Sequence, residues 1–385
     1  MSNAFGSPNR KTRVLVVGAG AFGGWTALHL QRRGVQVTLC DAWGPGNSRA
    51  SSGGETRIIR ATYGPDRPYV QMAVRALELW KEHEKRWNLK LFHHTGVLWM
   101  AGADDHYEKA ALPLLREASV RFEELTTAAA AKRFPQINFE GVRWALYEQD
   151  FGFLTARRNC QTVMEHFVNE GGEYRQLAAQ PAEISGGELQ GVKLSDGSVL
   201  RTEQYIFACG PWLKQIFPEV LGDRINVTRQ EVYFFGPPAG DARFAEDVLP
   251  AFVDNTGPHF YGVASNLWRG FKLAYDVNGP QFDPTSGDRT PNFHDIQIVR
   301  DRLGFRFPGM KNAPLLEARV CQYEDTADEN FIVDRHPRAG NLLLLGGGSG
   351  HGFKHGPAVG EMVSKMVLGE EKMNRQFGLA RFSKS

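Results

Sequence analysis

Gly18-Ala19-Gly20-Ala21-Phe22-Gly23 sets three glycines at the spacing with which a backbone wraps an anion. Gly18 permits a tight turn, Gly20 lets the main chain approach a pyrophosphate, and Gly23 lets a following helix pack closely on the preceding strand. The N-terminus of that helix then faces the anion. Asp41 follows at the distance where a carboxylate accepts hydrogen bonds from ribose hydroxyls and repels a 2′-phosphate, which argues against NADP. NAD and FAD both fit this pattern. A second run, Gly346-Gly347-Gly348-Ser349-Gly350-His351-Gly352-Phe353-Lys354-His355-Gly356, implies another close approach of backbone to a ligand near the far end of the chain. A helix N-terminus there could stabilise negative charge on a reduced flavin.

Two other chemistries fail on spacing. The stretch Gly347-Gly348-Ser349-Gly350-His351 lacks the last glycine of a G-x-S-x-G nucleophile elbow. His351 and His355 are four apart, as in a zinc-binding HExxH, but no Glu follows His351 and glycines interrupt the helix.

These residues need elements to hold them. Arg13-Val14-Leu15-Val16-Val17 reads as a strand buried on both faces and runs straight into Gly18. Trp25, Leu28 and Leu30 mark a helix that stops at Arg33-Gly34, and Val35–Leu39 is a second strand ending at Asp41. Asn341–Leu345 is another buried strand, and Val359, Met362, Val363, Met366 and Val367 give the helix after the second glycine run. Between these ends lie a helix over 157–170, a hairpin-rich stretch over 183–202 with turns at Gly186-Gly187 and Asp196-Gly197, and the strand Tyr205–Ala208. Residues 223–280 read as sheet, and Ala128–Ala131 as a helix start.

The chain has 385 residues, enough for two or three domains. Lys plus Arg number 45 against 43 Asp plus Glu, so a nucleic-acid partner is not expected. No run approaches the ~18 apolar residues of a membrane-spanning helix, and a membrane partner is not expected either. Cys40, Cys160, Cys209 and Cys321 form no C-x-x-C pair, residues 1–12 are polar, and the first apolar run is too short for a secretory signal. The expectation is a reduced, cytoplasmic protein.

Several separated segments resemble the monomeric sarcosine oxidase family, with its N-methyltryptophan and pipecolate oxidases, FAD-dependent amine oxidases of the D-amino-acid-oxidase-like superfamily. They are Val14–Asp41, Ser51-Ser52-Gly53-Gly54-Glu55-Thr56-Arg57-Ile58-Ile59-Arg60, Ala208-Cys209-Gly210-Pro211-Trp212, Phe271-Lys272-Leu273, Val320-Cys321-Gln322-Tyr323, Phe331-Ile332-Val333-Asp334 and Ser349–Lys354. They occur in the family's order over almost the whole chain, and the resemblance favours FAD over NAD.

The resemblance implies roles. Cys321 matches the cysteine that carries the flavin through an 8α-S-cysteinyl bond, a role that needs a sulfur nucleophile. Ser51, Thr56, Arg57, Gly348 and Gly350 are implied as cofactor contacts beside Gly18, Gly20, Gly23 and Asp41. Arg60 matches the residue that grips the substrate carboxylate, with Lys354 as its partner; a guanidinium fork suits that task. Lys272 matches the lysine that activates oxygen, and Tyr261 an active-site tyrosine. Two positions depart from the family: Gly53 stands where a histidine is common, and Asp276 replaces the histidine four residues after the oxygen lysine. The second departure suggests a substrate larger or more polar than sarcosine, with room for a second cationic group.

The implied fold is α/β: a Rossmann-type FAD-binding domain in three pieces, 1–88, 147–222 and 318–385, interleaved with a smaller α+β substrate domain, 89–146 and 223–317, containing an antiparallel sheet. The implied reaction is oxidation of an amino-acid-like secondary amine with a carboxylate: hydride passes to flavin N5, and molecular oxygen then takes the electrons to give hydrogen peroxide. The alternatives are an FAD-dependent amine dehydrogenase with another acceptor, and a glycated-amino-acid oxidase. A monomer or weak oligomer is expected.

Overall fold

Val14, Leu15 and Val16 are completely buried, as their uninterrupted apolar run requires of a strand covered on both faces. The computed structural model describes residues 12–382, so all of the polar opening segment but Thr12 lies outside the described residues. Arg13–Val17 is an inner strand of a six-stranded sheet, paired in parallel with Gln36–Cys40 on one side and Gln204–Phe207 on the other. Ala339–Gly346 extends the parallel run beyond Gln204–Phe207, Glu173–Arg175 closes one edge, and Ile332–His336 closes the other as an antiparallel edge strand. Parallel strands register their C-terminal ends together, so Gly18 and Asp41 emerge on the same edge of the sheet.

The helix Ala21–Arg32 is buried nearly all round, and Arg33 and Gly34 end it, Gly34 at φ +83°. It packs on the helix Gly356–Val367, which follows the second glycine run. The approach is close because Gly356 and Gly360 carry no side chain: a Cβ at either would lie 2.7 Å from a Trp25 atom, in Gly360's case its backbone.

Chain contacts define two compact units. The first comprises the stretch ending at Gly54, Ala156–Val227 and the stretch from Tyr323; the second comprises Glu55–Thr155 and Thr228–Gln322, of nearly equal length. The cuts differ from those expected at 88, 146, 222 and 317. Residues 55–88 join the second unit because Thr56–Ile59 pairs antiparallel with Gly152–Thr155, which also pairs with Phe92–His93. Residues 318–322 join it on the strand Leu315–Asp325, an edge of an eight-stranded sheet.

That sheet runs Leu315–Asp325, Asn226–Phe235, Phe271–Tyr275, Phe260–Val263, Ala251–Asn255, Val97–Ala101, Trp144–Glu148, Phe122–Thr126. The region read as sheet over 223–280 supplies four of these strands. Period-two alternation sorts its faces. Leu98, Met100, Ala145, Tyr233, Phe235, Phe252, Phe260, Phe271 and Leu273 pack into one core with Val299 and Leu303 of the helix Ile296–Arg306. The intervening residues, Trp99, Glu148, Tyr261 and Lys272 among them, therefore face the other side.

The Gly356–Val367 contact yields a test. Gly360→Ala should lower stability by about 1–3 kcal/mol, because the new methyl must displace helix backbone. Gly257→Ala, which meets nothing within 4 Å, should stay within about 0.5 kcal/mol; urea denaturation of both variants checks the pair.

Candidate active site

In the first unit, Gly18 adopts φ +106°, and a Cβ there would lie 2.3 Å from the Ala208 carbonyl oxygen. A Cβ on Gly23 would lie 1.9 Å from the Gly18 oxygen, so turn and helix start fit only as glycines. A Cβ on Gly20 would meet only Ser52 Oγ, at 3.5 Å, which leaves that backbone open to approach. Gly20 has no side chain with which to cap the helix and the first turn holds no acidic residue; the Ala21 N–H, the first of the helix, is accepted by Ser52 Oγ at 3.2 Å.

Asp41 braces the turn itself. Its carboxylate accepts N–H bonds from Ala19 at 2.8 Å, Trp43 at 2.9 Å and Gly44 at 2.7 Å, tying the glycine turn to the end of the second strand. Burial lifts its pKa above the usual carboxylate value against the pull of those three donors.

The second glycine turn holds Gly347 at φ +65°, Ser349 at +43° and Gly350 at +68°. A Cβ on Gly350 would meet the Tyr323 ring at 2.9 Å. Lys354 is buried and its ammonium donates to the His351 carbonyl at 3.0 Å. His351 stacks on Phe331 and His355 meets the same ring edge-on, so the two histidines serve packing.

Sequence reasoning missed Glu324. Ser51 Oγ donates to its carboxylate at 2.8 Å, and a Cβ on Gly348 would lie 2.9 Å from Oε1. Glu324 thus joins Ser51 to the Gly348 turn, two segments read separately as cofactor contacts. Burial pushes its pKa up to about 7, against the bonds from Ser51 and Gly348 and with help from the Asp325 charge. Gly53, where the resemblance expects histidine, has its explanation in the same unit. A Cβ there would lie 1.9 Å from the Asn47 oxygen, and the Gly53 carbonyl is held by Arg157 at 3.0 and 3.2 Å.

The second unit brings together Thr56, Arg57, Tyr261, Lys272 and Cys321. Lys272 pairs with Val263, two residues from Tyr261, so the lysine and tyrosine are diagonal neighbours on one face. The Lys272 ammonium lies 5.0 Å from the Tyr261 ring centroid and donates to the Thr56 carbonyl at 3.2 Å. Arg57 donates to the same carbonyl at 2.8 Å and to Cys321 Sγ at 3.4 Å. Lys272 is 1% exposed. Burial, and then the Arg57 charge, push its pKa down to about 7, while Cys321, Asp276 and Glu55 pull it up. The Thr56 hydroxyl is buried with no hydrogen-bond partner among the described residues, so a polar group of a ligand could meet it.

Arg60 lies at the end of the Thr56–Ile59 strand, with its guanidinium carbon 4.4 Å from the Tyr63 ring centroid and 4.9 Å from that of Trp99. Its Nη1 donates to the Thr62 carbonyl, which the Tyr107 hydroxyl also reaches at 3.5 Å. Burial opposes its charge, but Tyr107, Tyr63, Glu148 and Asp276 outweigh it and raise its pKa. Asp276 therefore acts electrostatically on both Arg60 and Lys272.

In the first unit, a glycine turn at a helix start with an acid closing it fits the pyrophosphate of a dinucleotide. The family model for FAD dependent oxidoreductases (DAO) matches residues 13–366. The chain belongs to this family of FAD-dependent oxidoreductases. It is 31% identical over 363 residues to the monomeric sarcosine oxidase of Bacillus sp. (strain B-0618), covering 92% of each chain. It is 28% identical to the N-methyl-L-tryptophan oxidase of Salmonella dublin, over 97% of this chain and all of that one. The L-proline dehydrogenase of P. horikoshii superposes with a TM-score of 0.85 at 22% identity, over 97% of this chain and 98% of that one, a likeness of fold. Among the described residues no helix is long and apolar enough to cross a membrane.

Glu324 makes the oxidoreductase's stability depend on pH. The folded chain holds this proton to about pH 7, whereas an ordinary Glu releases it near 4.5. The stabilisation is complete below 4.5 and is lost as pH rises to 7. Glu324→Gln should therefore gain on the wild type across that window, by up to about 3 kcal/mol, in urea midpoints measured at intervals from pH 4.5 to 8.

Proposed function

We propose that this FAD-dependent oxidoreductase oxidises the carbon next to nitrogen in a small secondary amine that carries a carboxylate, such as an N-methyl or cyclic amino acid, and returns the electrons to oxygen. The observation that carries the reading is the convergence of Arg57, Tyr261 and Cys321 around the buried Lys272, with Arg60 held between aromatic rings in the same unit. The relatives named for sarcosine and N-methyl-L-tryptophan support the substrate class.

FAD, when bound, supplies the two-electron acceptor and the centre from which oxygen is reduced to peroxide. Gly18, Gly20 and the helix N-terminus after them hold its pyrophosphate in this reading, and Asp41 fixes that turn and faces the ribose. Ser51, Gly348 and Gly350 line the second approach, and Thr56 offers its unpartnered hydroxyl. Cys321 is the covalent anchor, with the Arg57 guanidinium 3.4 Å from its sulfur.

Arg60 receives the substrate carboxylate. The guanidinium between Tyr63 and Trp99 keeps its planar fork in one orientation, which sets the geometry of the amine. Asp276 offsets the positive charge of Arg60 and Lys272, and it gives the pocket an acidic group for a second cationic centre on the substrate. Lys272 assists oxygen: as an ammonium in a dry site it stabilises developing superoxide charge. A cytoplasmic location accords with the reduced cysteines.

Four measurements test this reading. Acid precipitation should leave the yellow colour in the washed pellet of the wild type and release it to the supernatant from Cys321→Ala. Lys272→Met should slow reoxidation by oxygen about 10²–10³-fold with amine-driven reduction nearly unchanged. Because Lys272 loses its proton near pH 7, the wild-type reoxidation rate should fall as pH rises through that value, and the variant should lack this dependence. A peroxide yield far below one per amine, with fast turnover on an artificial acceptor, would make the enzyme a dehydrogenase. Equal activity of wild type and Asp276→Asn on every amine tried would remove Asp276 from the pocket.

A further inference from the structure

Glu148 is wholly buried at the end of the strand Trp144–Glu148, and none of the chemistry above uses it. Its Oε2 accepts the Ala61 backbone N–H at 2.6 Å, and Oε1 accepts that of Thr62 at 3.2 Å. Oε1 also accepts the Trp99 indole N–H at 2.8 Å. The strand register explains the last contact: Glu148 pairs with Val97, two residues from Trp99, so the two side chains share a face diagonally. All three donors belong to the surroundings of Arg60. Ala61 and Thr62 are the next two residues of its chain, Thr62 also supplies the carbonyl that holds Arg60 Nη1, and Trp99 is one of the two rings against its guanidinium.

We propose that Glu148 is a positioning residue for substrate binding. One carboxylate holds the backbone beyond Arg60 and the ring beside it, and so sets the direction in which the guanidinium fork points. The inference rests on the reading of Arg60 as the carboxylate grip. Three N–H groups converge on two oxygens with no water between them, and such charge-assisted bonds are the strong ones. Nothing in this arrangement touches the substrate, so its loss should appear in binding more than in the chemical step. Serving Arg60 from behind also suits a carboxylate, because it gives the buried guanidinium negative charge without occupying the edge that must take the substrate.

The test is anaerobic stopped-flow reduction of the holoenzyme by sarcosine, N-methyl-L-tryptophan and L-proline, which separates apparent Kd from limiting rate. Glu148→Gln keeps the size but replaces one acceptor oxygen by an NH2 that cannot accept these bonds. It should raise Kd about 10–100-fold and change the limiting rate less than about threefold. Trp99→Phe keeps a ring and removes the indole donor, and should raise Kd by a smaller factor in the same sense. Arg60→Gln should raise Kd strongly, and adding Glu148→Gln to it should raise Kd no further, since the second residue acts through the first. A purely structural role for Glu148 would instead depress the limiting rate or the flavin content and would add to Arg60→Gln. If Arg60→Gln raises Kd and Glu148→Gln does not, the positioning role is overturned while the carboxylate grip stands. Should Glu148→Gln not fold, an unchanged Kd in Trp99→Phe overturns it. If none of the three amines reduces the flavin, or Arg60→Gln leaves Kd unmoved, the grip itself is wrong and the inference falls with it.

Discussion

Positive charge held out of water is the constraint on which the second unit depends. Lys272 is buried beside Arg57, and Arg60 is packed among aromatic rings. A buried cation must be paired or its proton is given up, and Lys272 meets both pressures at once. The backbone carbonyl of Thr56 accepts from both Lys272 and Arg57, while Asp276, Glu148 and Glu55 supply negative charge around the cations. The eight-stranded sheet makes this affordable. One face is packed solid with Phe252, Phe271 and their neighbours against the helix Ile296–Arg306, so the other face can carry polar side chains at alternate positions without losing the core.

The first unit obeys a different constraint, the closeness of backbone to backbone. Gly18, Gly23 and Gly53 each lie where a Cβ would strike a carbonyl oxygen within 2.3 Å, and Gly356 and Gly360 let one helix rest on Trp25 of another. Polar side chains then brace these tight turns. Asp41 ties the first, Ser51 and Glu324 the second, and Arg157 holds the carbonyl of Gly53. Gly53 shows how such packing overrides the residue type that the resemblance implies at that position. With the Asn47 carbonyl in place there is no volume for an imidazole, whatever chemistry it would offer.

Much of the local structure was legible because it depends on neighbours in the chain. The strand Arg13–Val17 and the helix after it, the hairpins around Gly186-Gly187 and Asp196-Gly197, and the helix begun at Thr127 follow from periodicity and turn residues. The domain cuts were less legible. The segment Ser51–Arg60 reads as one motif, yet the boundary between the compact units falls inside it, because Thr56–Ile59 finds its partners nearly a hundred residues away on Gly152–Thr155.

By itself, the sequence determined the chemistry available to this protein: a glycine turn with an acid to close it, a second glycine turn, and the cationic and sulfur-bearing residues that the resemblance singled out. Those are properties of residue type and short spacing. Only the tertiary structure decided which groups control them. Glu148 reaches Ala61 and Trp99, and Glu324 reaches Ser51, across separations of 87, 49 and 273 residues. Neither glutamate stands in a motif, since a carboxylate on a strand reads as solvated until strand pairing and burial remove the water and leave specific N–H and O–H donors as its only partners.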